Sequence, residues 1–171
     1  MPGHSAQLEH LYDAHAPGLY RYFAGFVRCE ADARDLLQEL FIRLAAQPLP
    51  DGLGNERAFL WRMAHNLAVD LLRRQGSRRN AEELAGAEPL RLLDKGTDPD
   101  ATEFARQVEA ALAELPTEQR SVAQMKLWEG LTFEEIAAAQ GIPLNTAASR
   151  YRYALDKLRT RLRPLYEEIQ S

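Results

Sequence analysis

Only one cysteine, Cys29, occurs in the 171 residues, which excludes an internal disulfide framework and fits a reducing cytoplasm. No apolar run approaches the ~20 residues needed to span a bilayer, so no membrane insertion is expected. The opening MPGHSAQLEH lacks the basic and apolar segments of a signal peptide. Alternating runs of β-branched residues, internal repeats and low-complexity tracts are absent, and the periodicity that remains is helical. No Ser-His-Asp pattern, glycine-rich phosphate loop or paired catalytic carboxylate stands out. His4, His10, His15 and Cys29 are not spaced as paired ligands on one helical turn, so neither a metal nor any other cofactor is expected.

Positive charge is also short overall, at a net −4, but it is unevenly placed. Across residues 56–79 six arginines stand against Glu56 and Asp70, a local +4. Across 145–163 six cations stand against Asp156, a local +5. Between them, residues 80–104 hold seven carboxylates against Arg91 and Lys95, a local −5. Two basic blocks on an acidic tether suit nucleic acid better than the total suggests. The acidic total still predicts weak DNA binding by the isolated chain, because affinity follows phosphate neutralisation.

The second basic block contains the sharpest local pattern. Thr132 and Glu135 form a Thr-x-x-Glu capping box, which predicts a helix from about Phe133. Ile136 and Ala137 give that helix a small apolar face. Gly141 supplies a turn, and Pro143 blocks continuation and biases Ile142 to an extended conformation. Asn145 or Thr146 is then expected to cap a second helix. On it Ala147, Tyr151, Leu155, Leu158 and Leu162 recur at helical spacing and face inward. Ser149, Arg150, Arg152, Tyr153, Lys157 and three further arginines occupy the other faces. This is a helix-turn-helix with a basic second helix, suited to the major groove. The plainer reading is a helical hairpin solvated by arginine.

The rest of the chain reads as two helical blocks, at 5–75 and 102–168. In the first, residues 8–26 form one amphipathic segment or two, with Pro17-Gly18 as a kink or boundary. A helix over 31–46 buries Leu36, Leu37, Leu40, Phe41 and Leu44, and a Pro/Gly loop follows. A third helix over 56–74 turns Leu60, Ala64, Leu67 and Leu71 inward, with Gly76 as its stop. It leaves a polar stripe of Arg62, Asn66, Asp70 and Arg73. Residues 76–101 read as a flexible linker with one short helical turn within 81–93. The second block opens with a helix ending at Pro116, and another runs over 118–128. The chain ends at Ser171, so no further regulatory domain is expected beyond the basic helix.

Taken together, these pieces resemble the extracytoplasmic-function, or group IV, sigma factors of bacterial RNA polymerase. Four segments carry the resemblance, in the family's order. They are Asp35-Leu36-Leu37-Gln38-Glu39 followed by Phe41 and Leu44, the stretch FLWRMAHNLAVDLLRR at 59–74, the stretch ALAELPTEQR at 111–120, and the helix-turn-helix. The resemblance implies an all-α, two-domain protein that performs no covalent chemistry and works in the cytoplasm. It implies that Asp35, Gln38 and Glu39 meet an arginine-bearing coiled coil of the polymerase β′ clamp, where bidentate contacts fix orientation. The β flap is the other polymerase surface it implies.

For the −10 element the resemblance implies Arg62, Asn66, Asp70, Arg73 and Arg74, with Asn66 lining the pocket for a flipped base and the loop 50–55 completing it. Unstacking that base costs a few kcal/mol, which arginines on the backbone and an amide on a base edge offset. Phe59 and Trp61 are further candidates to stack on bases, against the alternative of core packing. For the −35 element it implies Thr146, Ser149, Arg152 and Tyr153 toward the bases, with Arg150 and Lys157 on phosphate or in helix packing. The chain departs from the family at Ala148, often Lys or Arg, and at Asn145, often Gly, so its −35 sequence is left open. The linker resembles a segment that threads the polymerase cleft. An anti-sigma factor is a further partner that family membership allows.

Two other classes fit the sequence less well. A free-standing dimeric helix-turn-helix regulator would need neither the Asp35–Glu39 motif nor the stripe on the third helix. A metalloenzyme would need ligand spacing that the histidines lack.

Overall fold

Pro17 does not divide the first helix. In the computed structural model, which describes residues 3–27, 29–47, 49–50, 54–76 and 99–170, α1 runs unbroken over His4–Ala24 with Pro17 inside it. Proline removes one hydrogen bond there, and packing keeps the helix continuous. Leu11, Ala16, Leu19, Tyr22 and Phe23 are all buried along it. Gly18 follows because a methyl group at that position would overlap the carboxylate of Glu129, 111 positions further along the chain.

α2 (Glu30–Ala46) carries Glu30 and Asp32 in its first turn and Arg43 in its last, the signs the helix dipole favours. Its buried residues, Ala33, Leu36, Leu40 and Leu44, form one stripe against α1 and α3. α3 (Glu56–Gly76) is capped by Asn55, whose Oδ1 accepts from the Ala58 amide at 3.0 Å. It extends through Gly76 rather than ending at Arg74.

The second bundle comprises α4 (Pro99–Glu114), α5 (Thr117–Leu127), α6 (Phe133–Gln140) and α7 (Leu144–Gln170). Arg120 joins its first two helices. Its guanidinium donates to the carbonyls of Leu112, Ala113 and Leu115 at 2.9–3.1 Å, satisfying the C-terminal end of α4. All seven helices described are α-helices, and no described residue is in a strand. The linker expected at 76–101, with its helical turn at 81–93, lies almost wholly outside the described residues.

Two apolar clusters hold the fold. The smaller belongs to the second bundle and comprises Ala111, Leu112, Leu115, Ala123, Ala154 and Leu158. The larger does not stop at a domain edge: it joins Tyr22, Leu40 and Trp61 to Val122, Ile136 and Ala147. Trp61 is only 2% exposed and meets the Tyr22 ring edge-on, with centroids 5.3 Å apart. It is therefore a core residue, and the alternative of base stacking does not hold for it here.

Candidate nucleic-acid interface

The helix-turn-helix forms as its local sequence requires. The Glu135 amide donates to Thr132 Oγ1 at 3.1 Å, and the Thr132 amide donates to Glu135 Oε1 at 3.0 Å. Gly141 ends α6 in the left-handed region at φ 65°, where a side chain would be strained. The second helix begins earlier than expected. Neither Asn145 nor Thr146 caps it: the Pro143 carbonyl accepts from the amides of Thr146 and Ala147, both at 3.1 Å, and Leu144 is already helical. Proline's fixed φ suits it to the edge of a helix, so it both stops α6 and starts α7.

Along α7, Ala147, Ala154 and Leu158 are buried and Tyr151, Leu155 and Leu162 are half-buried. Ala154 was missed in the sequence because alanine gives little hydrophobic contrast. Arg152, Tyr153 and Lys157 stand exposed on the opposite side, with the Arg152 guanidinium 5.5 Å from the Tyr153 ring centroid. Thr146, Ser149 and Arg150 are half-buried. Arg150 lies 3.9 Å from the exposed Glu118.

On α3 the polar stripe is a surface feature. Arg62, Asn66, Asp70, Arg73 and Arg74 are all exposed, while Leu60, Trp61, Ala64, Leu67 and Ala68 anchor the other side. No described residue pairs with the side chains of Arg62, Asn66 or Arg73, and Arg74 Nε donates to the Asp70 carbonyl at 3.3 Å. Of the loop expected to complete a base pocket, residues 51–53 lie outside the described residues.

Asp35, Gln38 and Glu39 are exposed on α2, and Glu39 accepts from Arg43 Nε at 2.9 Å on its own helix. Asp35 and Gln38 also line an open groove between α1 and α2, together with Tyr12, Leu37, Phe41 and Ile42. Tyr12 and Ile42 are large exposed apolar residues there. The sequence reading found the polar half of this surface and missed Tyr12 and Ile42. Their exposure depends on how α1 crosses α2, which no local pattern encodes.

No group of three or more metal-ligating side chains occurs among the described residues. A His4 ring nitrogen lies 3.1 Å from the Ala45 carbonyl. His65 was not singled out in the sequence, yet burial and the nearby Arg150 guanidinium push its pKa down. Its Nδ1 lies 3.2 Å from the Tyr22 hydroxyl, which in turn lies 2.7 Å from Ser121 Oγ.

The residue most underestimated in the sequence is Glu135. Besides its capping role, its carboxylate accepts from Arg57 Nη2 at 2.6 Å, from Arg57 Nε at 3.0 Å and from the Asn55 amide at 3.0 Å. With the Thr132 amide this occupies the roughly four acceptor sites a carboxylate offers. The Arg57 fork, against the opposing cost of burial, holds the Glu135 pKa down at about 2. A depressed carboxylate stabilises the fold fully above its unfolded value of 4.5 and loses that contribution as pH falls toward 2. In urea titrations, Glu135→Gln is expected to be less stable than wild type by about 1–2 kcal/mol at pH 6, with the partly exposed Arg57 end screened. That gap should shrink steadily below pH 4.5 to a small fraction by pH 2, and a gap that does not shrink would mean the charge is not its source.

Comparisons with known proteins bear on both halves of the chain. Residues 11–78 match the family described as Sigma-70 region 2, and residues 111–160 match Sigma-70, region 4. The ECF RNA polymerase sigma factor SigL of Mycobacterium tuberculosis is 32% identical over 166 residues, covering 94% of this chain and 92% of that protein. Among solved structures, the sigma factor RpoE of Bartonella quintana, in complex with the anti-sigma factor NepR, aligns with a TM-score of 0.75 at 19% identity. That alignment covers 92% of this chain and 97% of RpoE. CnrH, in complex with the cytosolic domain of CnrY, aligns with a TM-score of 0.69 at 24% identity over 95% and 91% of the two chains.

Proposed function

The chain belongs to the extracytoplasmic-function sigma factors of the sigma-70 family, and on that footing we propose that α3 reads the −10 element and α7 the −35 element. As a sigma factor it serves RNA polymerase in promoter recognition and transcription initiation, and it carries out no covalent chemistry itself. The proposed division runs with the chain. Residues 5–75 bind core polymerase and the −10 region, 102–168 bind the −35 region, and 76–101 tether them. The site of action is the cytoplasm, where polymerase and DNA are found; among the described residues no helix is long and apolar enough to cross a membrane.

The observation that carries the −10 assignment is the two-sidedness of α3. One face is core, and the opposite face presents Arg62, Asn66, Asp70, Arg73 and Arg74 to solvent. Arginines there would hold phosphates, and the Asn66 amide would hold a base edge. Asn66→Ala should therefore slow promoter opening about tenfold or more while closed-complex binding stays nearly intact, one lost base contact being worth ~1–3 kcal/mol. Equal loss of binding and opening would remove Asn66 from the base-holding role.

For the −35 element, exposed Arg152 and Tyr153 are the proposed base readers, with Thr146 and Ser149 beside them and Arg150 and Lys157 on the backbone. Arg152→Ala should weaken discrimination at one −35 position by ~1–3 kcal/mol. A loss spread evenly over all sequences, with a shallower salt dependence, would make it a phosphate contact instead. Asp35, Gln38 and Glu39, with the adjoining apolar groove, are the proposed seat of the β′ clamp coiled coil, and the β flap is the proposed contact of the second bundle. The solved structure of RpoE is that of a sigma factor held by the anti-sigma factor NepR, which supports an anti-sigma factor as a partner here too.

A further inference from the structure

The two bundles meet across a seam with a consistent polarity. The first supplies arginines, and the second supplies glutamates that are more deeply buried than their partners. Arg21 Nε lies 2.8 Å from Glu129 Oε1, with side-chain exposures of 35% and 10%. Arg57 grips Glu135 through two nitrogens, with exposures of 38% and 11%. Asn55, the cap of the helix assigned to the −10 element, donates to the same carboxylate. Glu135 is thus the capping residue of the −35 motif and the partner of two side chains at the start of α3. Arg120 adds a bond to the Gly25 carbonyl at 3.0 Å.

The closed arrangement cannot serve a promoter as a whole. Elements named −35 and −10 are about 25 base pairs apart, or ~85 Å at ~3.4 Å per step. A compact chain of 171 residues has a radius of gyration of about 15 Å. Residues in hydrogen-bond contact across the seam must therefore separate before both elements are read together. The seam is not wholly apolar. The carboxamide oxygen of Gln124, against Gly25 at the end of α1, is buried without a hydrogen-bond partner among the described residues, an expense water would remove. Beside the apolar cluster that crosses it, the seam carries a polar chain from Tyr22 through Ser121 to Gln140 Nε2.

We propose that Arg57 and Glu135, with Asn55, form a latch that sets the closed–open equilibrium of the free chain, restraining it without any second protein. That the open form is the promoter-reading form rests on the function proposed above; the latch itself does not. Glutamine serves as well as glutamate at the third position of a capping box, so Glu135→Gln removes the charge and keeps α6 capped.

The test places one spin label on exposed Cys29 and a second on Thr160→Cys, and measures the distance distribution in the full chain. Wild type should give one short distance. Glu135→Gln and Arg57→Met should each raise the long-distance population at least fivefold, and the double variant should be no more open than either single one. Arg106→Gln, which breaks an ion pair within α4, should leave the distance unchanged. Distances identical to wild type in both single variants, or a double variant that opens by the product of the two effects, would overturn the latch. The same proteins are then mixed with bacterial core RNA polymerase. Faster association of the latch variants, by about the rise in open population, supports restraint. Equal association rates would overturn it. Failure of wild type to bind core at all would count against the function proposed above and leave the distance result standing.

Discussion

Replacing Trp61 with alanine is expected to lower stability by about 3–5 kcal/mol, the usual cost of emptying a large aromatic site in a core. Trp61 is 2% exposed, edge-on to Tyr22, and close to the backbone of Gly18 in α1. Tyr22 is itself buried, with its phenol pushed well above the usual range by that burial, and it touches both His65 and Ser121. Removing the indole therefore loosens α1, α3 and α5 together. Natural domains have a total stability of only about 5–15 kcal/mol, so the variant should lose a large share of its stability and melt at a much lower urea concentration. A urea melt followed by circular dichroism checks this. A variant that melts like wild type but opens promoters poorly would return Trp61 to the base-stacking role that burial argues against.

The second large effect is on assembly rather than folding. Changing Asp35, Gln38 and Glu39 together to alanine should leave stability within about 0.5 kcal/mol, as exposed substitutions generally do. Affinity for core polymerase should nevertheless fall 100-fold or more, because each orphaned partner charge in a contact costs ~2–5 kcal/mol. Of the three, Glu39 should contribute least, since Arg43 already competes for it along α2. Competition for core against a labelled sigma factor would measure this. Unchanged affinity would take the polymerase contact off these three side chains and leave it to the apolar part of the same groove, at Tyr12 and Ile42.

What could be read in the sequence was what is encoded within a few residues. Thr132 and Glu135 declare a helix start because both hydrogen bonds close within one turn, and the positions of Gly141 and Pro143 follow from their own dihedral limits. The periodicity of α2 and α3 found Leu36, Leu40, Leu44, Leu60, Ala64 and Leu67 on their buried faces, but it also put Leu37, Phe41 and Leu71 there, which are half-buried, and passed over the small Ala33 and Ala68. What failed was whatever depends on a partner far along the chain. Nothing near Glu135 signals that Arg57 and Asn55 will reach it. Nothing near Arg120 signals that it will bridge the end of α4 to Gly25. Trp61 was ambiguous because an aromatic on a DNA-reading helix and an aromatic in a core carry the same local pattern. The cap of α7 was misassigned because side-chain capping was sought at Asn145 and Thr146, where a backbone carbonyl does the work.

Gly18 and Gly25 leave a consequence for how this chain can diverge. Alanine would suit the interior of α1 better than Gly18 by roughly 0.5–1 kcal/mol on helical preference alone. Yet a methyl group there would press Glu129 off Arg21, and one at Gly25 would displace the Gln124 carboxamide. The first helix thus keeps a locally inferior residue for the sake of a neighbour more than a hundred positions away. Substitutions at 18 and 129, and at 25 and 124, are not independent mutational events. An alanine at position 18 should therefore come with a moved or replaced side chain at 129, and one at 25 with a change at 124.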